Sequence, residues 1–251
     1  MRTLAVIPAR LGATRLPRKP LRLLAGLPLV IRVWERVRAL DVVDRCLIAT
    51  DSDEVAELVN DYGAEVVMTR SDHPSGTHRI AEVAERTEYG GYELIVNVQG
   101  DEPFVPRSAI LGAVKLVTDR FPLATAAVVA GPEILRDPNV VKVVAAHNGQ
   151  AMYFSRAPIP YLRDAEDAGI QRSLIWQHIG VYAYRWTALQ NWVMLPETPL
   201  EQVERLEQLR PIASGMSMGV ALVDEPVHPG IDTEEDLERA NRDWTAFSST
   251  G

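Results

Sequence analysis

The first hundred residues alternate between short, mostly apolar runs and longer stretches with helical spacing, and that alternation admits few folds besides a mostly parallel sheet covered by helices on both faces. The apolar runs are TLAVIP (3–8), RCLIAT (45–50), EVVMT (65–69) and ELIVNVQ (93–99). Each reads as a strand, the first as a buried one and the fourth as apolar enough to be central. Between them, Leu29, Val33, Val37 and Leu40 recur at helical spacing and predict a helix from about Pro28 to Leu40. Asp51-Ser-Asp53 supplies capping residues for a second helix that ends at Gly63, and a third is expected over 76–87. Beyond Pro106 the pattern predicts a helix near 107–120, strands at 123–130, 140–146 and 179–184, and a loop over 155–175. A helix at about 199–210, a strand at 218–223 and a last helix at about 233–245 follow. No internal repeat or linker divides the chain. The reading is one three-layer α/β domain over residues 1–251, Rossmann-related, with a smaller inserted lobe at about 130–215.

Charge and composition exclude several classes. The net charge of −8 argues against a general nucleic-acid binder. No apolar run approaches the ~20 residues of a membrane span, and the start of the chain lacks the pattern of a signal peptide. One cysteine, Cys46, excludes an internal disulfide and a cysteine-rich metal cluster, and fits a reducing, cytoplasmic setting. Against the acidic average, residues 1–34 hold Arg2, Arg10, Arg15, Arg18, Lys19, Arg22 and Arg32 and no acid. A basic opening on an acidic body suits a local site for a polyanionic small molecule, although charge runs are commonly just solvated.

In open α/β sheets ligands gather at the carboxyl ends of strands, so the segments that leave those ends hold the candidate site residues. IPARLGATRLPRKPL (7–21) leaves the first strand carrying Arg10, Arg15 and Lys19. Gly12 permits a close backbone approach, arginine forks match phosphate oxygens, and Lys19 offers a compact charge able to follow a phosphoryl group. The segment is neither a GxGxxG nor a P-loop motif. VNVQGDEPFV (96–105) runs a buried strand directly into Asp101 and Glu102, where a carboxylate is placed to hold Mg²⁺ against phosphate. A second ligand is needed. Asp232 in HPGIDTEEDL (228–237) is a candidate, although on the residues alone the N-cap of the last helix is the simpler role. Ser75, Gly76 and Thr77 in RSDHPSGTHRIAEV (70–83) read either as a helix cap or as small residues admitting a flat base. His73 and His78 lack the converging partners of a metal site.

Taken in order, IPARLGATRLPRKPL, ATDSDEV, TRSDHPSGTHRIAEV, VNVQGDEPFV, NVVKVV, YFSRAPIP, HIGVYAYR, PLEQVERLEQLR and GIDTEEDLERA resemble the 3-deoxy-manno-octulosonate cytidylyltransferase (CMP-Kdo synthetase) family. The resemblance spans essentially the whole chain. It implies a nucleotidyltransferase-like fold and a reaction in which CMP passes from CTP to the anomeric hydroxyl of Kdo, releasing pyrophosphate, for lipopolysaccharide biosynthesis. By position it implies that Arg10, Arg15 and Lys19 hold the triphosphate, and that Ser75, Gly76, Thr77 and Arg79 lie around the cytidine. Gln99 contacts nucleotide or sugar, and Asp101 and Asp232 bind magnesium. Arg156, His178, Tyr182, Glu207 and Gln208 surround the acidic sugar. Lys19, Asp101 and Arg10 are the candidate catalytic residues, the inserted lobe is expected to bind sugar and form a homodimer, and Mg²⁺ is the expected cofactor. On the residues alone, Arg156 also reads as a loop arginine, His178 as a core histidine, and Glu207 and Gln208 as part of a solvated amphipathic helix.

The family usually has glycine where this chain has Arg18; a positive φ there would strain Arg18 or reshape the loop. His78 stands where an acid is common. A nucleotidyltransferase for another acidic sugar, such as an 8-amino Kdo, fits the same motifs. A non-catalytic sugar-nucleotide binder would not need two carboxylates, and the DxD of a glycosyltransferase, matched formally by Asp51-Ser-Asp53, reads better as a helix cap.

Overall fold

The computed structural model describes residues 1–12, 15–225 and 227–248. In chain order the strands are β1 Thr3–Ala9, β2 Leu23–Leu24, β3 Leu27–Pro28, β4 Arg45–Thr50, β5 Val66–Met68, β6 Leu94–Val98, β7 Leu123–Val129, β8 Lys142–Ala145, β9 Ala151–Ser155, β10 Trp176–Arg185 and β11 Met218–Val223. The helices are α1 Leu29–Ala39, α2 Asp53–Asp61, α3 Gly76–Glu85, α4 Arg107–Asp119, α5 Ala168–Leu174, α6 Trp186–Met194, α7 Pro199–Glu204, α8 Leu209–Ala213, α9 Glu234–Arg242 and α10 Trp244–Ser248. The class is α/β with a mixed, mostly parallel sheet, as the alternation of patterns predicts. Among the described residues no helix is long and apolar enough to cross a membrane.

Two compact units divide the chain, residues 1–107 with 227–251, and residues 108–226. In the first, β6, β1, β4 and β5 lie side by side and all parallel. Most of their side chains, among them Leu4, Val6, Ile7, Leu47, Ile48, Ile95 and Val96, are fully buried, which is why these runs are mostly apolar. Ser52 caps α2 by accepting the Val55 N–H, and Thr233 forms a capping box with Asp236 at α9. A separate small cluster joins Leu16 of the opening loop, Leu24, Leu29, Phe104, Ile231 and Leu237. It anchors the loop that leaves β1 to the segment preceding α9.

In the second unit β7 pairs with β11 in parallel and with β10 antiparallel, and β10, β8 and β9 continue antiparallel. One element went unread and two expectations are corrected here. The segment over 151–155 is a strand, β9, which forms a hairpin with β8 around Gly149 at φ 81°. The stretch over 155–175 is not all loop, because α5 occupies its end. The helix expected at about 199–210 is two helices, α7 and α8, broken where Arg205 takes φ 55°.

Candidate active site

The site is assembled where β1 and β6 end. Arg10, Arg15, Lys19, Gln99, Asp101 and Asp232 line one cavity of about 270 Å³, with Pro8, Ala9, Leu16 and Gly100. Crowding at the strand ends explains the small residues. A Cβ on Gly100 would lie 3.0 Å from the Pro8 carbonyl oxygen, and one on Gly76 would lie 3.3 Å from Pro8 Cγ. The turn at Ser75–Thr77 therefore packs on the proline that lines the cavity, although neither Ser75 nor Thr77 lines the cavity itself.

Lys19 is brought inward by local backbone geometry. Arg18 occupies the left-handed region at φ 57°, ψ 32°, as a glycine would, and a 3-10 turn over Lys19–Leu21 follows it. Leu16 before it and Pro20 within it are buried and seat this turn. Lys19 Nζ donates to Asp101 Oδ2 at 2.6 Å and to Asp232 Oδ1 at 2.8 Å, while Arg15 donates to Asp232 Oδ2 at 3.0 Å. Burial alone would push the Lys19 pKa down, but the two carboxylates outweigh it and hold the ammonium above its ordinary value. Burial likewise opposes the charge on Asp232, and Lys19 and Arg15 overcome it and lower its pKa.

The two carboxylates are also joined through the backbone. Ile231 N–H donates to the Asp101 carbonyl at 2.9 Å, and Gly230 leaves room for that contact, since a Cβ there would meet Asp101 O at 3.3 Å. Asp232 is not the helix cap. Thr233 takes that role, which frees the Asp232 carboxylate for the cavity. Two carboxylates converging on one point, with cations around them, form an oxygen donor set that fits magnesium, which takes one or two carboxylates and completes its shell with phosphate and water.

Around α3, Ser75 Oγ accepts the His78 N–H at 3.4 Å and lies 2.9 Å from His78 Nδ1, so the capping reading is correct for this hydroxyl. Arg79 is buried. Its guanidinium donates to Thr69 Oγ1 and pairs with Asp51 at 3.1 Å, bracing the end of β5 against the start of α2. Asp51 is thereby committed to a structural pair and Ser52 to a cap, which leaves the formal DxD with local roles.

The second unit gathers the residues expected around the sugar. Thr125 Oγ1 donates its single proton to the Val181 carbonyl at 2.7 Å, so His178 Nε2, 2.8 Å away, donates to Thr125. Phe154 and Tyr182 flank the imidazole with ring centroids at 5.2 and 5.4 Å, and burial pushes its pKa down to about 3. Burial, with smaller contributions from Tyr184 and Glu207, raises the Tyr182 hydroxyl well above its usual value. Arg156 is tied to the turn after α7: Nε donates to Glu204 O at 2.9 Å and Nη1 to Pro138 O at 2.7 Å. Glu207 and Gln208 lie in the connection between α7 and α8, and Gln208 is buried, so the solvated-helix reading is overturned.

Four supporting residues escaped the sequence reading. Lys142 is fully buried and donates to the carbonyls of Asp137, Val140 and Arg156 at 2.9, 2.7 and 2.6 Å. Glu204 accepts from Ser155 Oγ and from the Arg156 N–H. Glu201 and Arg210 form a buried bidentate pair at 2.8 and 2.5 Å. A lysine inside a valine-rich strand was the available signal for the first, because a buried ammonium must be fully bonded.

The comparisons with known proteins give the family and the fold. A cytidylyltransferase family model matches residues 4–218. The chain is 58% identical to the 3-deoxy-manno-octulosonate cytidylyltransferase of Gemmatimonas aurantiaca, over 97% of this chain and 95% of that one. It is 44% identical to the same enzyme of Actinobacillus pleuropneumoniae serotype 7, over 94% and 97%. The solved structure of CMP:2-keto-3-deoxy-manno-octonic acid synthetase complexed with CTP superposes with a TM-score of 0.90 at 37% identity, covering 98% and 99%. An inositol-1-phosphate CTP transferase from T. maritima, 17% identical with a TM-score of 0.67, shares the fold. With most of its length matched by the family model and a relative at 58% identity over nearly all of it, the chain belongs to the 3-deoxy-manno-octulosonate cytidylyltransferase family.

Proposed function

We propose that this protein transfers CMP from CTP to the anomeric hydroxyl of Kdo, giving CMP-Kdo and pyrophosphate for lipopolysaccharide biosynthesis. The observation that carries the reading is the convergence of Asp101 and Asp232 on one point of a cavity whose other wall is Arg10, Arg15 and Lys19. Phosphoryl transfer asks little covalent chemistry of a protein and much positioning and charge neutralisation, which such a cavity supplies. Arg10, Arg15 and Lys19 bind the triphosphate and neutralise the departing pyrophosphate. Asp101 and Asp232 hold Mg²⁺, which when bound neutralises phosphate charge and makes the attacking hydroxyl more acidic. Gln99, beside them, orients nucleotide or sugar. Ser75, Gly76 and Thr77 pack the base, with Arg79 bracing their segment rather than reaching the ligand.

On the sugar side, Arg156 pairs with the acceptor carboxylate, using guanidinium protons not committed to Glu204 O and Pro138 O. His178 stays neutral at working pH and, with Tyr182, Glu207 and Gln208, shapes the pocket for hydroxyl groups. The lobe at about 130–215 carries this sugar site and a homodimer contact. Exposed apolar side chains such as Met194 and Val203 are available for that contact, and size-exclusion chromatography with light scattering tests it. A cytoplasmic location agrees with the single free cysteine.

The test is pyrophosphate release with each of the four nucleoside triphosphates against Kdo, 8-amino Kdo and other acidic sugars, with and without Mg²⁺. CTP with Kdo is expected to give the highest rate, and only with the metal. No release with any pair refutes the catalytic reading, and a preference for another sugar reassigns the acceptor.

A further inference from the structure

The cavity holds a conflict of occupancy. Asp101 and Asp232 converge on a point that Lys19 Nζ fills, at 2.6 and 2.8 Å. A magnesium ion bound by both carboxylates needs oxygens at about 2.0–2.1 Å, and so claims the same point. An ammonium and a dication sharing the same oxygens repel strongly at such separations. We propose that Lys19 is a built-in competitor of the divalent cation, clasping Asp101 and Asp232 until a triphosphate offers its ammonium another anion, so that metal affinity is coupled to nucleotide binding. The inference rests on the reading of this cavity as a nucleotide and metal site.

Geometry sets the clasp apart from an ordinary surface pair. The Lys19 side chain is only 14% exposed, and its backbone is fixed by the left-handed Arg18 and the buried Pro20. The backbone that carries the two carboxylates does not depend on Lys19, because the Ile231–Asp101 backbone bond and the cluster that includes Leu16 and Ile231 hold it, and Arg15 keeps a second bond to Asp232. Lys19 can therefore leave without the site dispersing. A ligand whose competent state is populated only a fraction of the time binds more weakly by that fraction, so a clasp closed nine-tenths of the time weakens metal binding about tenfold. By reciprocity, whatever draws Lys19 away strengthens metal binding by the same factor. Arg10 provides the internal control. It lines the same cavity with the same charge and, among the described residues, pairs with neither carboxylate.

The experiment titrates Mn²⁺ into the full-length, nucleotide-free protein and reads free ion by electron paramagnetic resonance. Lys19→Met is expected to bind Mn²⁺ about tenfold or more tightly than the parent. Arg10→Gln is expected to stay within about threefold, the scale of a screened through-space effect. Equal gains in both variants, or no gain in Lys19→Met, overturn the proposal. Adding Asp101→Asn to Lys19→Met separates the two levels: lost binding supports both, whereas Mn²⁺ binding that persists sinks the metal reading beneath. The parent protein gives a second route that needs no folded variant. Reductive methylation followed by mass spectrometry should show Lys19 modified several-fold faster in saturating Mn²⁺, with Lys115 unchanged; an unaltered Lys19 rate overturns the clasp.

Discussion

Glu201 and Arg210 show how the connection carrying Glu207 and Gln208 is held, and they yield the sharpest stability prediction. Arg210 Nε and Nη2 lie 2.8 and 2.5 Å from the two Glu201 oxygens, with side chains 5% and 10% exposed. Arg210→Met leaves the Glu201 carboxylate buried without its partner, a change that destabilises by about 3–5 kcal/mol. In a chain of this size each kcal/mol moves Tm by about 2–4 °C, so calorimetry at pH 7.5 should find Tm lower by roughly 6–20 °C. The double variant Glu201→Leu with Arg210→Met should recover most of the loss, because the desolvated charge is gone. Because α7 and α8 are stapled by this pair on either side of Arg205, the double variant should also show a higher KM for Kdo with kcat little changed. A Tm loss below about 2 °C, or a double variant no more stable than the single, refutes the reasoning.

The remaining predictions concern the site and its supports. Asp101→Asn should keep the Tm of the parent within a few degrees yet lower kcat/KM by at least ~100-fold, the scale of losing one preorganised electrostatic contact; pyrophosphate release checks it. Gly230→Ala should lower kcat/KM by roughly tenfold with a small Tm change, because its Cβ forces Asp101 back by tenths of an ångström where about 1 Å corresponds to ~100-fold. Arg18→Gly should change Tm by under ~2 °C and leave turnover intact, since relief of about 1 kcal/mol of left-handed strain is offset by glycine's unfolded-state entropy and the loss of an exposed pair with Glu54. Titration of His178 should appear in stability rather than in rate. With its folded pKa near 3 and its unfolded value near 6.5, stability should fall by ~1–3 kcal/mol between pH 6.5 and 4, and His178→Gln should flatten that limb in urea melts.

The first unit was largely legible because its strands and helices each announce themselves over their own residues. RCLIAT is buried along its sheet-facing length, Asp51-Ser-Asp53 caps as its residue types suggest, and Asp101 follows a strand that could only be central. The second unit was less legible because its signals depend on partners far along the chain. The break at Arg205 has no glycine or proline to mark it, and Glu201 looks like a solvated acid until Arg210 folds back on it. The hairpin was readable after all: Asn148-Gly149 between VVKVV and AMYFS is a strong turn pair, outweighed by the polar residues around it. Asp232 was ambiguous for a physical reason. An aspartate followed by threonine before a helix offers two caps, and only the capping box of Thr233 with Asp236 decides which side chain remains for the cavity.

What holds the acidic pair matters more for the chemistry than what neutralises it. Were Asp101 and Asp232 kept together by Lys19 alone, any ligand that attracted the lysine would let two like charges separate, and the metal site would disperse as the nucleotide arrived. Their placement instead comes from an amide-to-carbonyl bond between Ile231 and Asp101, a glycine that lets those backbones meet, and apolar packing of Leu16 against Ile231. None of these contacts responds to charge. The backbone positions of the two aspartates are thus decoupled from the identity of their counter-ion, so lysine, metal and phosphate can exchange around a fixed acidic scaffold. That is the preorganisation that electrostatic catalysis requires, because the donors need not be rebuilt as charge moves.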